Sequence, residues 1–347
     1  MSIVQVAEFA GVSPGTVSRV INGRNGISEK TVKQVRKAME RIGYVPRSPE
    51  DRPGPKAEGI GCNSLALRNV ALVAVKLYKS QITSPVYAET IHGVEAGLAK
   101  EGLSMILSVL SDFDQIPKCL LHQQVNGVVL FGQASMPDKV VKILKQFVVV
   151  SVMGGHYPWC DAVSYDNSAV GGMAANYLIE RGHRHLAYIG RKGSPAFDER
   201  ALRFEMEAKK NAVNPCMLED EQLLLLDDKT NSIDKNRLEG MVEKLIAMSP
   251  RPTGIFVAAD MFVVPLYSLL SARGIKLGED IEVVSVNNEK VILDSVTPRP
   301  ATIDIQAYSL GYMAAERLLW RAEHSNEQRV TLLLDPKIVE GVGRRIR

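Results

Sequence analysis

At 347 residues the chain has room for two or three domains, and a hydrophobic share of 46 % is that of an ordinary globular protein. No uninterrupted apolar run approaches the roughly 18 residues a membrane crossing needs, and no basic-then-apolar leader opens the sequence, so membrane and exported classes are excluded and a cytoplasmic protein is expected. The net charge of +3 is unevenly placed: residues 1–56 carry ten Lys/Arg and five Asp/Glu, an excess of +5, and the remainder is −2.

Taken in order, residues 3–10 place Ile3, Val6, Ala7 and Ala10 at helical spacing, and Gly11 suits a tight turn. Ser13 is positioned as an N-cap, and Pro14 falls at the first helical position, where a missing N–H is harmless. Val12 and Val17 sit where a hydrophobic staple would form. Val17, Val20 and Ile21 make an i, i+3, i+4 buried face, leaving Pro14, Gly15, Ser18, Arg19 and Asn22 outside. A third helix over 29–42 has Ser28 as N-cap, Val32, Val35, Met39 and Ile42 inside, and Gly43 at its end. Three helices with a tight turn between the first two make a helix-turn-helix unit, whose second helix enters a DNA major groove. The competing reading is a small helical cap on a larger domain. The positive excess confined to this end favours a binder of the phosphate backbone.

Residues 46–61 hold Pro46, Pro49, Pro53, Pro55, Gly54, Gly59 and Gly61 among charges, a composition that reads as an extended linker. From Val70 onward, apolar runs alternate with amphipathic helices. Strands are expected at 70–75, 105–110, 127–131, 148–153, 186–189, 254–258 and 281–286, with helices such as 86–101, 169–181 and 262–273 between them. That alternation means parallel sheets covered on both faces, and two doubly wound units in series with a ligand cleft between them. Cys62, Cys119, Cys160 and Cys216 show no paired spacing and are expected to be free thiols. His183 and His185 fit structural roles better than a metal site. Neither a metal nor a cofactor is expected. Phosphate-loop, nucleophile-elbow and zinc-helix motifs do not occur, so catalysis is not expected.

Val4 through Asn22 resembles the DNA-reading headpiece of the LacI/GalR (lactose-repressor) family of bacterial transcriptional regulators, and Ser28 through Pro46 resembles the end of that module. Residues 84–89, 161–167, 182–190, 252–260 and 279–288 are similar to signatures of the family's effector domain. The resemblance implies a headpiece over 1–46, a linker over 47–69, and a two-lobed domain like a periplasmic sugar-binding protein over 70–347. Lobe 1 would take about 70–165 and 300–328, and lobe 2 about 166–299 and 329–347. It further implies direct base contacts from Pro14, Gly15, Ser18 and Arg19, with Ser13, Thr16 and Asn22 toward phosphates. Arg200 matches the arginine that forks onto ligand oxygens, and Tyr87 and Phe256 match ring positions facing the ligand. Asn287 stands in place of a ligand-binding aspartate. Asp260 matches the acid of an Asn-Asp pair in which Ala259 replaces the asparagine. Phe131 and Met153 replace polar ligands, making the pocket more apolar than a sugar site.

The prolines depart from the family pattern by ruling out a hinge helix at its usual place. A displaced hinge over 63–68 and a flexible basic arm through Arg47, Arg52 and Lys56 are the two ways of filling that role. The expected function is a homodimeric repressor on a pseudo-palindromic operator, controlled by a carbohydrate effector. The alternatives are a purine- or nucleoside-responsive regulator and a ligand sensor with degenerate DNA binding.

Overall fold

Helices of eight residues do not persist alone in water, so α1 (Ile3–Ala10) and α2 (Pro14–Ile21) depend on α3 (Glu29–Arg41). Val6, Ala7, Ala10, Val17, Val35 and Ala38 form the shared buried core, with Val12, Val20, Ile21, Met39 and Ile42 packed around it. Gly11 makes the turn between α1 and α2 at a φ of +60°, where a side chain would be strained. The Gln34 side chain donates to the Ala10 carbonyl at 2.9 Å and ties α3 to the end of α1. Ser28 caps α3, its hydroxyl accepting from Thr31 N at 3.2 Å. Ser28→Ala is expected to weaken this unit by about 1 kcal/mol, read as faster amide exchange throughout α3.

The computed structural model describes residues 3–21, 27–44, 67, 69–132, 134–154, 157–226 and 229–342. The chain divides into two units, Met1–Cys62 and Asn63–Arg347. Most of the proline-rich linker and the candidate hinge lie outside the described residues. Leu67 is packed against the core of the second unit.

The second unit runs β1 (Asn69–Val75), α4 (Lys79–Ile82), α5 (Pro85–Ala99), β2 (Ser104–Leu110), α6 (Lys118–Leu121), β3 (Gly127–Phe131), α7 (Asp138–Leu144), β4 (Val148–Val152) and β5 (Asp161–Tyr165). It continues through α8 (Asn167–Glu180), β6 (Leu186–Arg191), α9 (Pro195–Lys210), β7 (Cys216–Asp220), β8 (Leu224–Leu226), β9 (Asn231–Ile233), α10 (Lys235–Ala247), β10 (Gly254–Val257) and α11 (Val263–Ser271). It closes with β11 (Glu282–Val286), α12 (Lys290–Leu293), β12 (Ala301–Asp304), α13 (Ala307–Glu323), β13 (Thr331–Leu334) and β14 (Lys337–Val339).

Two six-stranded sheets result, ordered β13-β5-β4-β3-β1-β2 and β14-β12-β11-β10-β6-β7, one in each lobe. All their pairings are parallel except β12 with β14. The continuous apolar runs of β1 and β3 are buried on both faces, as parallel strands under helices must be.

The chain first crosses between lobes after Tyr165. The other two expected crossings, near 300 and 328, need correction. Ala301–Asp304 pairs with β11 and belongs to lobe 2, and Thr331–Leu334 pairs with β5 and belongs to lobe 1. The crossings therefore fall at 304–307 and 334–337. Both are four-residue strands placed by partners far away in sequence, which no local pattern announces. Helix α13 returns to lobe 1 and packs on α5 so closely that glycine is required at the contact. A Cβ on Gly311 would lie 2.0 Å from the Thr90 carbonyl oxygen, and one on Gly93 would lie 2.0 Å from that of Tyr308.

Candidate functional sites: a DNA-reading helix and an inter-lobe cleft

The N-terminus of α2 is built by local chemistry. The Ser13 hydroxyl accepts from Thr16 N at 3.2 Å and is 2.9 Å from the Thr16 hydroxyl, so the two side chains expected at phosphates also close the cap. Val17 is buried and turns the helix so that Pro14, Gly15 and Arg19 are exposed, with Ser18 half-buried beside them. A Cβ on Gly15 would meet only Ser13 Oγ, at 3.7 Å, so that position is open to an approaching surface. Asn22 lies outside the described residues. Lys30, Lys33, Arg36, Lys37 and Arg41 are exposed along α3. The result is a short rod with one long cation, Arg19, on its open face. A guanidinium there donates two parallel hydrogen bonds, the geometry that matches the N7 and O6 edge of guanine.

The second site lies where the strands of both sheets end. Lobe 1 supplies a mostly apolar wall. The Tyr87 ring, in the first turn of α5, meets the Phe131 ring edge-on at 5.1 Å at the end of β3. The Thr90 hydroxyl is 3.2 Å from the Met153 sulfur, and Met153 follows β4 at a φ of +56°. Phe131 is fully buried behind the Tyr87 ring.

Lobe 2 supplies Arg200 from α9. It is 2 % exposed, and its guanidinium donates to Asn167 Oδ1 at 2.9 Å, to the Tyr165 hydroxyl at 2.7 Å and to the Ala258 carbonyl. It also lies over the rings of Tyr165 and Phe197. Every one of these partners is neutral. Among the described residues no carboxylate lies within ion-pair distance of this buried cation, which is a costly arrangement. Burial, with Tyr165 and Glu289 nearby, pushes the Tyr87 hydroxyl up to about 12 despite the opposing pull of Arg200.

Among the described residues, hydrogen bonds that cross between the lobes include Ser80 Oγ to the Thr230 carbonyl at 3.1 Å, Val86 N to Glu289 Oε1 at 3.0 Å, and Arg200 to Tyr165. Asn287 stands at this junction at a φ of +113°. A cavity of about 370 Å³ opens beside it, lined by Val86, Asn287, Glu289, Asp304, Gln306 and Tyr308 among others.

Two expected cleft residues are not there. Phe256 is fully buried in the lobe 2 core, with ring centroids 5.4 Å from Tyr188 and 5.1 Å from Phe204. Its side of β10 faces α9 rather than the cleft. Asp260 is also fully buried, accepting from Ser285, from Thr302 at 3.0 Å and from Glu289 N at 2.6 Å. It ties the turn at 260–262 to β11, β12 and the loop bearing Glu289, and its oxygens are already engaged. Conversely, Tyr165, Asn167 and Glu289 were not singled out in the sequence. The first two flank the first crossing, where a strand end meets a helix start, and that signal would have found them.

Burial pushes the Asp260 carboxyl up to about 7, against the pull of Ser285, Glu289 N–H and Thr302. Its unfolded value is about 3.9, so the folded state holds this proton more tightly. Its contribution is fully present below about pH 4 and is lost as pH rises through about 7. Urea midpoints of wild type are expected to fall across that window, and Asp260→Asn to flatten the slope. Parallel slopes in both proteins would refute it. His183 is satisfied structurally, with Nε2 2.9 Å from Glu282 and Nδ1 3.0 Å from Thr253. Among the described residues no cluster of side chains suits a metal ion, and no helix is long and apolar enough to cross a membrane. The described cysteines Cys119, Cys160 and Cys216 are free.

A basic helix-turn-helix unit joined to a two-lobed α/β domain with a polar-centred cleft is the architecture of a DNA-binding transcriptional regulator. Residues 2–47 match the model of the lacI family of bacterial regulatory proteins, and residues 175–342 match a periplasmic binding protein-like domain. It is 26 % identical to the HTH-type transcriptional repressor PurR of Vibrio atlanticus (strain LGP32), over 98 % of this chain and 97 % of the relative. The structure of the transcriptional regulator CelR in complex with cellobiose superposes with a TM-score of 0.64 at 24 % identity, covering 98 % of this chain and 99 % of that one. The lac repressor dimer bound to operator and an anti-inducer gives 0.66 at 19 % identity, covering 98 % of each.

Proposed function

We propose that this chain is a repressor that works in the cytoplasm as a homodimer, each α2 reading one half of a pseudo-palindromic operator. A sugar or sugar derivative between the lobes sets how tightly it holds DNA. The reading treats the chain as a binding protein, not an enzyme. The observation that carries it is the exposed, capped face of α2 with Arg19 at its centre, set in the chain's basic end. The effector half rests on Arg200, a buried cation whose bonded partners are all neutral and whose remaining donors suit ligand oxygens. The cellobiose bound to CelR is a precedent on the same fold for a sugar. The Tyr87 ring, backed by the buried Phe131, favours a second reading, a purine or nucleoside whose flat base would lie against Tyr87.

Selection of genomic fragments by the purified full-length protein tests the DNA half. The expected result is enrichment of a two-fold symmetric site whose affinity falls steeply with salt. Sugars and nucleosides added to that complex then separate the two effector readings by which of them changes operator affinity. Recovery of fragments with no common symmetric site would overturn the proposal.

A further inference from the structure

The first turn of α5 faces the cleft, and its donors are already used. Pro85 has no N–H. Tyr87 N and Ala88 N donate to the Ser84 carbonyl at 3.1 and 2.9 Å. Val86 N is the remaining donor, and it reaches across the cleft to Glu289 Oε1 at 3.0 Å. Glu289 is 7 % exposed. Its own N–H is fixed by Asp260, which is held in turn by Ser285 and Thr302, so the carboxylate rides on a rigid part of lobe 2. The loop that aims it takes left-handed backbone at both Asn287 and Asn288, with φ values of +113° and +59°. Asn288 is anchored to Asp304 at 3.1 Å and to Arg299 at 3.1 Å. The start of a helix is where a phosphate or carboxylate of a ligand is naturally held. Here the opposite lobe places a carboxylate of the protein itself in that position.

We propose that Glu289 determines which effectors the cleft accepts: its carboxylate fills the anion position at the start of α5, so ligands presenting phosphate or carboxylate there are refused and neutral, donor-bearing ligands are admitted. The proposal rests on the cleft being the effector site. An anion entering there must take the Val86 N–H from Glu289 and then sit beside a buried like charge, where repulsion is poorly screened. A neutral hydroxyl instead donates to the carboxylate's free lone pairs, so the buried charge gains a partner with no like charge beside it.

The test uses the full-length protein without effector, with inorganic phosphate as the probe, in wild type, E289A and E289Q. In E289A the Val86 amide is expected to exchange at least about ten-fold faster, the loss of one charge-assisted hydrogen bond. Added phosphate is expected to restore that protection and raise the melting temperature, while wild type does not respond at Val86. E289Q keeps an acceptor of the same shape without the charge, so it folds as wild type does and is expected to gain a phosphate response. The proposal is overturned if phosphate protects Val86 equally in wild type and variants, or if neither variant gains a response. Operator binding, measured on the same samples, reports on the proposed function separately. Its absence would remove that reading and leave the Val86 result interpretable.

Discussion

Arg19→Ala is expected to weaken binding to the selected operator by about 1–3 kcal/mol, roughly five- to 150-fold, and to relax preference at one base pair per half-site. Binding to random DNA should change far less, because the exposed lysines and arginines of α3 remain. Arg19 is outside the buried core of the headpiece, so the substitution leaves Val17, the Ser13 cap and the packing of α1 on α3 in place. Fluorescence anisotropy against the operator and against a scrambled duplex checks both halves of the expectation. Equal losses on the two duplexes would make Arg19 a phosphate contact, and no loss on either would remove α2 from the groove.

Arg200→Met is expected to abolish the response to whichever ligand proves active, while operator affinity in its absence changes little. Methionine keeps much of the packing volume beneath the Tyr165 and Phe197 rings, so lobe 2 should stay folded. What is lost is a pair of charge-assisted donors, each worth about 1.5–3 kcal/mol, and ligand affinity should fall by about a hundred-fold or more. The Asn167 and Tyr165 side chains lose their partner as well, so a modest drop in melting temperature accompanies the loss. Calorimetric titration of the ligand and operator binding with and without it separate these effects. A normal response in the variant would place the ligand elsewhere.

Much of the headpiece was legible in the sequence because its determinants are local. The Ser13 and Ser28 caps, the Gly11 turn and the spacing of Val6, Ala7, Ala10, Val17 and Val35 act over a few residues, and the structure shows each of them. The parallel strands were legible for a related reason, since a strand buried on both faces is apolar along its length. The lobe boundaries near the C-terminus were not, because β12 and β13 are short and find their sheets through partners far away in sequence. Matching positions proposed Arg200, Tyr87, Phe131 and Met153 for the cleft, and they also proposed Phe256 and Asp260, which the structure engages inside lobe 2. An aromatic ring on a buried strand reads the same whether it faces core or ligand, and only the packing of Tyr188 and Phe204 around Phe256 decides it. Glu289 was invisible because its importance lies in a single bond to Val86, a residue on the other lobe.

The return of α13 and β13 to lobe 1 has a consequence for biogenesis. This lobe is seeded by some of the earliest residues of the second unit yet is sealed by nearly the last, with Gly93 against Tyr308 and Gly311 against Thr90. On a ribosome, the three-helix headpiece has its full set of contacts as soon as α3 emerges, whereas lobe 1 waits until Leu334 is out. A nascent or truncated chain ending before α13 therefore carries a finished DNA reader in front of an unsealed sheet. Emergence of β13, rather than the start of folding, is the moment at which both lobes can close on a ligand.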